Sequence, residues 1–332
     1  MEFAELAAIA GGHAEARAIQ TALKLGFFEL LSTGPRDAPA IAAALKTDPR
    51  ATMLLANAMV AIGLLKTEQG TYRIAKPADR FLVKSSPEYL GGLIFFDENI
   101  FQHWVKLEDA IRGGRPVRSP DMFQSDPADT ERFIRAMDSL TRARGDAAWV
   151  AEHLELDGLS TIADLGGGPG TYLAAILRGR TAMRGAIWDL PATLKIARRV
   201  LEEREHDVMD RIELIETDYL RGPLPGPADC IFMSNIIHSE NEADNAQLMG
   251  ACFAGLRRGG LVAIKDHVMN GDLTEPRAGA IFALYLLLTT RGRDYSFEEI
   301  AGWLTAAGFV DIKIQTLPSP PFTSSLVTAR KP

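Results

Sequence analysis

Ile162-Ala163-Asp164-Leu165-Gly166-Gly167-Gly168-Pro169-Gly170-Thr171 decides the reading of this chain: an apolar strand meets an acidic residue, and four glycines follow within five positions. Without a Cβ, glycine adopts turn conformations closed to other residues and lets a ligand approach the backbone closely. The stretch therefore reads as a nucleoside-cofactor loop. A dinucleotide fingerprint places its third glycine where Thr171 stands, so the fit to a nicotinamide cofactor is poor. Asp164, just ahead of the glycines, would repel a diphosphate and suits a cationic or hydroxyl-rich ligand. S-adenosylmethionine, with an ammonium, a sulfonium and no phosphate, meets that description.

Downstream spacing agrees. Gly185 to Asp189 reads as a second strand ending in a carboxylate about 20 residues past the loop, where α/β nucleotide folds place the acid for ribose hydroxyls. Arg211 to Thr217 alternates as a third strand and ends at Asp218-Tyr219, a carboxylate and an aromatic face for the adenine. Strands and helices continue to alternate: Ala228 to Ser234, a helix from Ala243 to Leu256, then a strand from Leu261 to Val268. Such a series predicts a parallel sheet with helices on both faces. Phe309 to Thr316 and Phe322 to Ala329 are joined only by Leu317 to Pro321, too short for a crossover helix, so the last strand is expected antiparallel. The expected fold is a Rossmann-like, seven-stranded α/β sheet with one reversed strand.

Ahead of it, short helices over Ala16–Leu31, Ala38–Leu45 and up to Ile62 precede a hairpin about Gln69-Gly70, which together read as a winged helix. A DNA-binding role would require a basic face. Residues 1–110 instead carry 11 Lys/Arg against 13 Asp/Glu, and Ala51 to Ile62 is almost wholly apolar, suited to burial against a second subunit. The expected organisation is a winged-helix dimerisation domain over 1–86, a helical connector over 87–150, and a cofactor-binding domain over 151–332. The connector is rich in aromatic and Met residues. Phe96, Trp104, Phe123, Phe133 and Met137, with Met269 after the fifth strand, are candidates for an apolar substrate pocket.

At 332 residues, with a formal charge of −7, the chain has the size of two domains and the charge of a protein whose main partner is not nucleic acid. Cys230 and Cys252 read as buried free thiols. The longest apolar run, Ile281 to Leu288, falls far below a membrane span, and no secretory signal is apparent, so a cytoplasmic, membrane-free protein is expected.

Beyond the fourth strand comes Met233-Ser234-Asn235-Ile236-Ile237-His238-Ser239-Glu240. Ligands of open α/β sheets bind at the carboxyl ends of strands, which puts His238 at the rim of the cofactor site. The neighbouring strand carries Lys265-Asp266-His267, where Asp266 can hold the imidazole in one tautomer and His267 is expected on the opposite face. His238 and Asp266 are the catalytic candidates. Asp164, Gly166, Gly168, Asp189, Leu190, Asp218, Tyr219, Ser234 and Asn235 are the cofactor-binding candidates, with no metal.

Together these residues resemble the S-adenosylmethionine-dependent small-molecule O-methyltransferases with an N-terminal winged-helix dimerisation domain, a group that includes plant phenylpropanoid, acetylserotonin and bacterial polyketide enzymes. The resemblance rests on Leu25-Gly26-Phe27-Phe28-Glu29-Leu30-Leu31, Asp164 to Gly170, Asp189-Leu190-Pro191, Thr217-Asp218-Tyr219, Gly302-Trp303-Leu304 and Ala307-Gly308-Phe309. It implies a homodimer, cofactor contacts at Gly166, Asp189, Asp218, Tyr219 and Ser234, and His238 as base toward a small-molecule hydroxyl. Two departures stand out. His238 is followed by Ser239-Glu240-Asn241 rather than Asp-Trp, and the second acid that flanks the base in plant members aligns with Phe297, beside Glu298. The alternatives are methylation of carbon or nitrogen, and a winged-helix regulator with a ligand-sensing domain.

Overall fold

The computed structural model describes residues 1–318 and 324–332 and divides into two compact units, Met1–Ile100 and Phe101–Pro332. In the first, α1 (Phe3–Leu25), α2 (Phe27–Ser32), α3 (Ala38–Leu45) and α4 (Pro49–Ala61) pack with a sheet of β1 (Arg36–Asp37), β2 (Leu65–Glu68) and β3 (Thr71–Ile74). The continuous helix expected over Ala16–Leu31 is broken. Gly26, at φ +84°, ends α1 in the left-handed conformation that caps helices, and α2 starts anew. Asp48 caps α4 through the Ala51 amide, and Gln69 and Gly70, both at positive φ, close the β2–β3 hairpin. Phe27, Phe28, Leu31, Ile41 and Met59 form the core of this unit. Two short helices follow β3: α5 (Lys76–Leu82) and α6 (Gly91–Trp104), the latter running through the boundary between the units.

The second unit opens with α7 (Leu107–Gly113), α8 (Pro127–Arg144) and α9 (Asp146–His153). Then β4 (Thr161–Leu165), α10 (Thr171–Arg178), β5 (Arg184–Asp189), α11 (Pro191–Arg204), β6 (Ile212–Glu216), β7 (Ala228–Ser234), α12 (Glu242–Gly255) and β8 (Leu256–Met269) alternate. The chain finishes with α13 (Arg277–Thr289), the short β9 (Tyr295–Ser296) beside β8, α14 (Phe297–Ala307), β10 (Val310–Thr316) and β11 (Ser324–Arg330). Strand order is β10-β11-β8-β7-β4-β5-β6, and β11 runs antiparallel to both of its neighbours, as the short link at 317–321 requires. Residues 319–323, which include part of that link and the expected strand start at Phe322, lie outside the described residues.

Alternating side chains of the strands feed two cores. Cys230, Phe232, Leu261 and Ala263 face Leu173, Ile176 and Leu177 of α10, while Ile231, Met233, Val262 and Ile264 face Leu248, Met249, Cys252 and Leu304. This alternation positions the site. On β8, Lys265 continues the first face and Asp266 the second, so neighbouring residues serve opposite layers. Among the described residues, no helix is long and apolar enough to cross a membrane.

Candidate active site

The glycine loop is pinned between two strand ends. Gly166 donates to the Trp188 carbonyl at 2.7 Å, Gly168 donates to Asp189 Oδ2 at 2.8 Å, and Leu190 donates to Asp189 Oδ1 at 2.7 Å. Gly166 and Gly168 sit at φ +64° and +53°. A Cβ on Gly166 would lie 2.3 Å from Ile236 Cδ1, and one on Gly167 would lie 2.6 Å from Asp164 Cγ. Glycine is thus required here twice over, by backbone conformation and by space. Thr171, the residue that spoils the dinucleotide fingerprint, opens α10 and donates its hydroxyl to Asp138 at 2.7 Å.

A cavity opens over this loop. Asp164, Gly166, Gly168, Asp189, Leu190, Tyr219, Ser234 and Asn235 line it, with Thr217 at the end of β6. Eight of the nine cofactor-binding candidates therefore meet in one place. The ninth, Asp218, does not line the cavity; its carboxylate accepts from the Leu220 amide and lies 3.5 Å from Arg221. Tyr219 donates its hydroxyl to Glu240 at 3.0 Å, and Glu240 in turn pairs with Arg291, also at 3.0 Å. Glu240, which looked in the sequence like a departure after His238, is thus a buried bracket for the Tyr219 ring.

The acids of the cavity are held uncomfortably. Burial first, and then repulsion from Asp189, pushes Asp164 up to about 8, and burial pushes Asp189 up to about 6. Asp164 Oδ2 has no protein hydrogen-bond partner. Such a group calls for a cation or a donor from a ligand. A carboxyl raised above its unfolded value favours the native state at low pH and costs stability as pH rises from about 4 toward 8.

At the end of β7 the chain turns through Asn235, at φ +58°, into a single 3-10 turn, Ile237–Ser239. Asp266 grips this turn. Its Oδ1 lies 2.7 Å from His238 Nδ1, its Oδ2 accepts from the His238 amide at 3.4 Å, and its Oδ1 also accepts from the His267 amide at 2.8 Å. Burial alone would depress the His238 imidazole, but the charge and hydrogen bond of Asp266 outweigh it and hold the ring above its ordinary value; Asp266 is correspondingly lowered. His267, expected on the opposite face, brings its ring to 6.5 Å from that of His238, and both approach Phe282 of α13, at 5.1 and 5.3 Å. Burial pushes His267 down to about 3, so it is neutral and unsuited to take a proton.

The second acid beside the candidate base is neither Phe297 nor Glu298. Phe297 opens α14 and Glu298 is exposed on its first turn. Asp294 fills that place instead: a nitrogen of His238 and one oxygen each of Asp266 and Asp294 lie within 4.8 Å of one another. Asp294 is 2% exposed, both its oxygens lack a protein partner, and burial pushes it up to about 7. Counting back from Ala307-Gly308-Phe309 missed it because Asp294 precedes the Ser296 helix cap, so its place is set by the pairing of β9 with β8 rather than by helix spacing.

The pocket candidates divide. Phe133 and Met137 line the cavity, joined by Met122, and Phe123 stacks on Phe133 at 4.8 Å. Met269 is buried at the end of β8, paired with Ser296, and Trp104 is half-buried; neither lines the cavity. Phe96, in the sequence of the Met1–Ile100 unit, is buried and does not line the cavity. Phe282, inside the run that drew notice in the sequence only for its length, is the aromatic that meets the candidate base.

With this geometry in place, comparison with known proteins is decisive for the family. Residues 104–310 match the O-methyltransferase domain and residues 7–84 the O-methyltransferase dimerisation domain. The chain belongs to the O-methyltransferase family. Among its relatives, the 3-hydroxy-5-methyl-1-naphthoate 3-O-methyltransferase of Streptomyces sahachiroi is 29% identical over 94% of this chain and 91% of its own length. The acetylserotonin O-methyltransferase of Bos taurus is 26% identical over 92% and 91%. Human N-acetylserotonin methyltransferase, solved in complex with S-adenosylmethionine, shares the fold with a TM-score of 0.88 at 22% identity, over 100% of this chain and 98% of that one.

The strained acids give a first prediction. Asp164→Asn is expected to stabilise the ligand-free protein at pH 8 by about 1–3 kcal/mol in chemical denaturation, since each pKa unit is worth ~1.4 kcal/mol and relaxation absorbs part of it. The gain should shrink toward pH 4. A variant less stable than wild type at pH 8 would contradict the assignment.

Proposed function

We propose that this protein transfers the methyl group of S-adenosylmethionine to a hydroxyl of an aromatic or polyketide-like small molecule, with His238 as the general base. The donor's sulfonium makes its methyl group electrophilic toward an oxygen placed in line behind it. The cavity fits such a ligand. A Cβ on Gly166 or Gly167 would collide with Ile236 or Asp164, so the loop keeps its bare backbone beside the cavity, and Asp164 and Asp189 await hydroxyl or cationic donors. The names of the relatives support the acceptor class.

One observation carries the role of His238: the 2.7 Å contact of its Nδ1 with Asp266. Because the carboxylate of Asp266 can only accept, Nδ1 carries the proton and Nε2 keeps its lone pair. A phenol of pKa about 10 facing an imidazole of about 6.5 makes proton transfer uphill before methylation begins, and Asp266 narrows the gap by raising the ring's basicity. Asp266 acts through His238 and is a positioning residue. Positioning supplies a large share of the rate in such a displacement, on the order of 7–11 kcal/mol in intramolecular analogues. Asp218 holds the loop after β6, and Leu190, Ser234 and Asn235 supply the walls around the donor.

The protein works as a homodimer in this reading. The first sixteen residues, most of them on α1, are exposed along their length, with Phe3 at 85%, Leu6 at 57% and Ile9 at 51%, and Leu54 of α4 is 51% exposed. Apolar side chains repeated on one element in this way mark an association surface. They lie in or beside the segment that matches the dimerisation domain.

Two outcomes follow. His238→Ala should lower kcat for hydroxyl methylation by about 10²–10⁴-fold, with affinity for S-adenosylhomocysteine within threefold of wild type. In wild type, kcat/KM should fall as pH drops through a point above 6.5, where the base becomes protonated. Unchanged turnover in the variant would favour methylation of a carbon or nitrogen that needs no deprotonation. Separately, the double variant Leu6→Asp, Ile9→Asp should run as a monomer in light scattering where wild type runs as a dimer; a monomeric wild type would contradict the assembly.

A further inference from the structure

Three side chains of the kinds that bind metals converge at the candidate base. His238 on the turn after β7, Asp266 on β8 and Asp294 just ahead of β9 each bring one donor atom within 4.8 Å of the other two, and all three are buried. The contact of His238 with Asp266 accounts for two of these groups. It leaves Asp294 unexplained. Neither oxygen of Asp294 has a protein hydrogen-bond partner, and a second carboxylate, Asp266, stands beside it. A buried acid in that condition is costly unless something of opposite charge or a donor completes it.

The surroundings hold the acid in place. Gly279, in the first turn of α13, leaves the room for it: a Cβ there would lie 2.4 Å from Met269 Sδ and 3.3 Å from Asp294 Oδ2. Phe282, about one turn further along α13, meets the His238 ring edge-on at 5.3 Å. One helix therefore packs beside both the acid and the imidazole.

The donor set selects the ion. One imidazole and two carboxylates suit a borderline divalent cation such as Zn²⁺, which takes three protein ligands and keeps a further position open. Mg²⁺ and Ca²⁺ prefer shells of roughly six to eight oxygens and gain little from an imidazole. Two ligand atoms on one zinc ion, each about 2.1 Å from it, stand roughly 3–3.4 Å apart. The His238–Asp266 contact of 2.7 Å has to open by about half an ångström to admit the ion. Asp294 has to close in by no more than about 1.5 Å, and it breaks no hydrogen bond in doing so.

We propose that His238, Asp266 and Asp294 form an inhibitory site for a divalent transition cation of the zinc class. The ion opposes the reaction. A ring nitrogen that binds it leaves the one proton of a neutral imidazole on the other nitrogen, so neither can take a proton from the acceptor. None of the three residues lines the donor cavity over the glycine loop, so zinc and the donor occupy separate places. The loss of turnover rests on His238 as the base, whereas the binding of the ion does not.

Titration calorimetry of the full chain with zinc chloride, in a non-chelating buffer, is expected to show one equivalent bound. Asp294→Asn should weaken that binding at least tenfold while its affinity for S-adenosylhomocysteine stays within threefold of wild type, and magnesium chloride should give no binding heat. Should Asp294→Asn fail to fold, His238→Ala must show the same loss of zinc. No zinc bound by wild type, or zinc affinity within threefold of wild type in either folded variant, overturns the site. Turnover is read separately: kcat for the hydroxyl acceptor should fall at least tenfold as zinc saturates the protein, with KM for S-adenosylmethionine unchanged. Zinc that binds through Asp294 yet leaves turnover intact would overturn the base role of His238, and the inhibition with it.

Discussion

The contact on which the site depends is the grip of Asp266 on His238. One buried carboxylate accepts from the ring and backbone of His238 and from the backbone of His267, which fixes a short turn that regular structure alone would leave loose. Its position follows from register. The pairing of Ser234 with Lys265 brings the end of β7 level with Asp266, so the turn after β7 falls within reach of the next strand's carboxylate. Phe282 meets the ring edge-on and closes it from α13. Tautomer, orientation and basicity of the imidazole thus come from a single interaction.

The site is assembled at the expense of the ligand-free state. Asp164, Asp189 and Asp294 are all raised by burial, and Asp164 and Asp294 keep oxygens without protein partners. Buried polar groups of this kind weaken a fold unless something completes them. In the proposed reading, Asp164 and Asp189 are completed by the donor. Asp294 brings a carboxylate oxygen within 4.8 Å of a ring nitrogen of His238. Preorganised charge of this sort stabilises a reacting system without rearrangement during the reaction.

Much of this was legible in the residues. The glycine loop, the carboxylates at strand ends and the His–Asp pair are local patterns whose meaning depends on strand parity and spacing, which sequence displays directly. The short link before β11 likewise dictated a reversed strand. Less legible were features made by distant segments meeting. Asp294 reaches His238 through the pairing of β9 with β8, and Phe282 does so through the packing of α13. The break at Gly26 was hidden because the apolar spacing continues across it, and only a left-handed backbone separates the two helices. Asp218 read as a carboxylate for the adenine, yet it turns to its own loop and Arg221.

The most direct test of the account is nitrogen NMR of the histidine side chains in the intact protein, with His238 assigned by comparison with His238→Ala. The account predicts that neutral His238 carries its proton on Nδ1, leaves Nε2 bare, and titrates above 6.5. A neutral ring protonated on Nε2, or one titrating below 6.5, would contradict it.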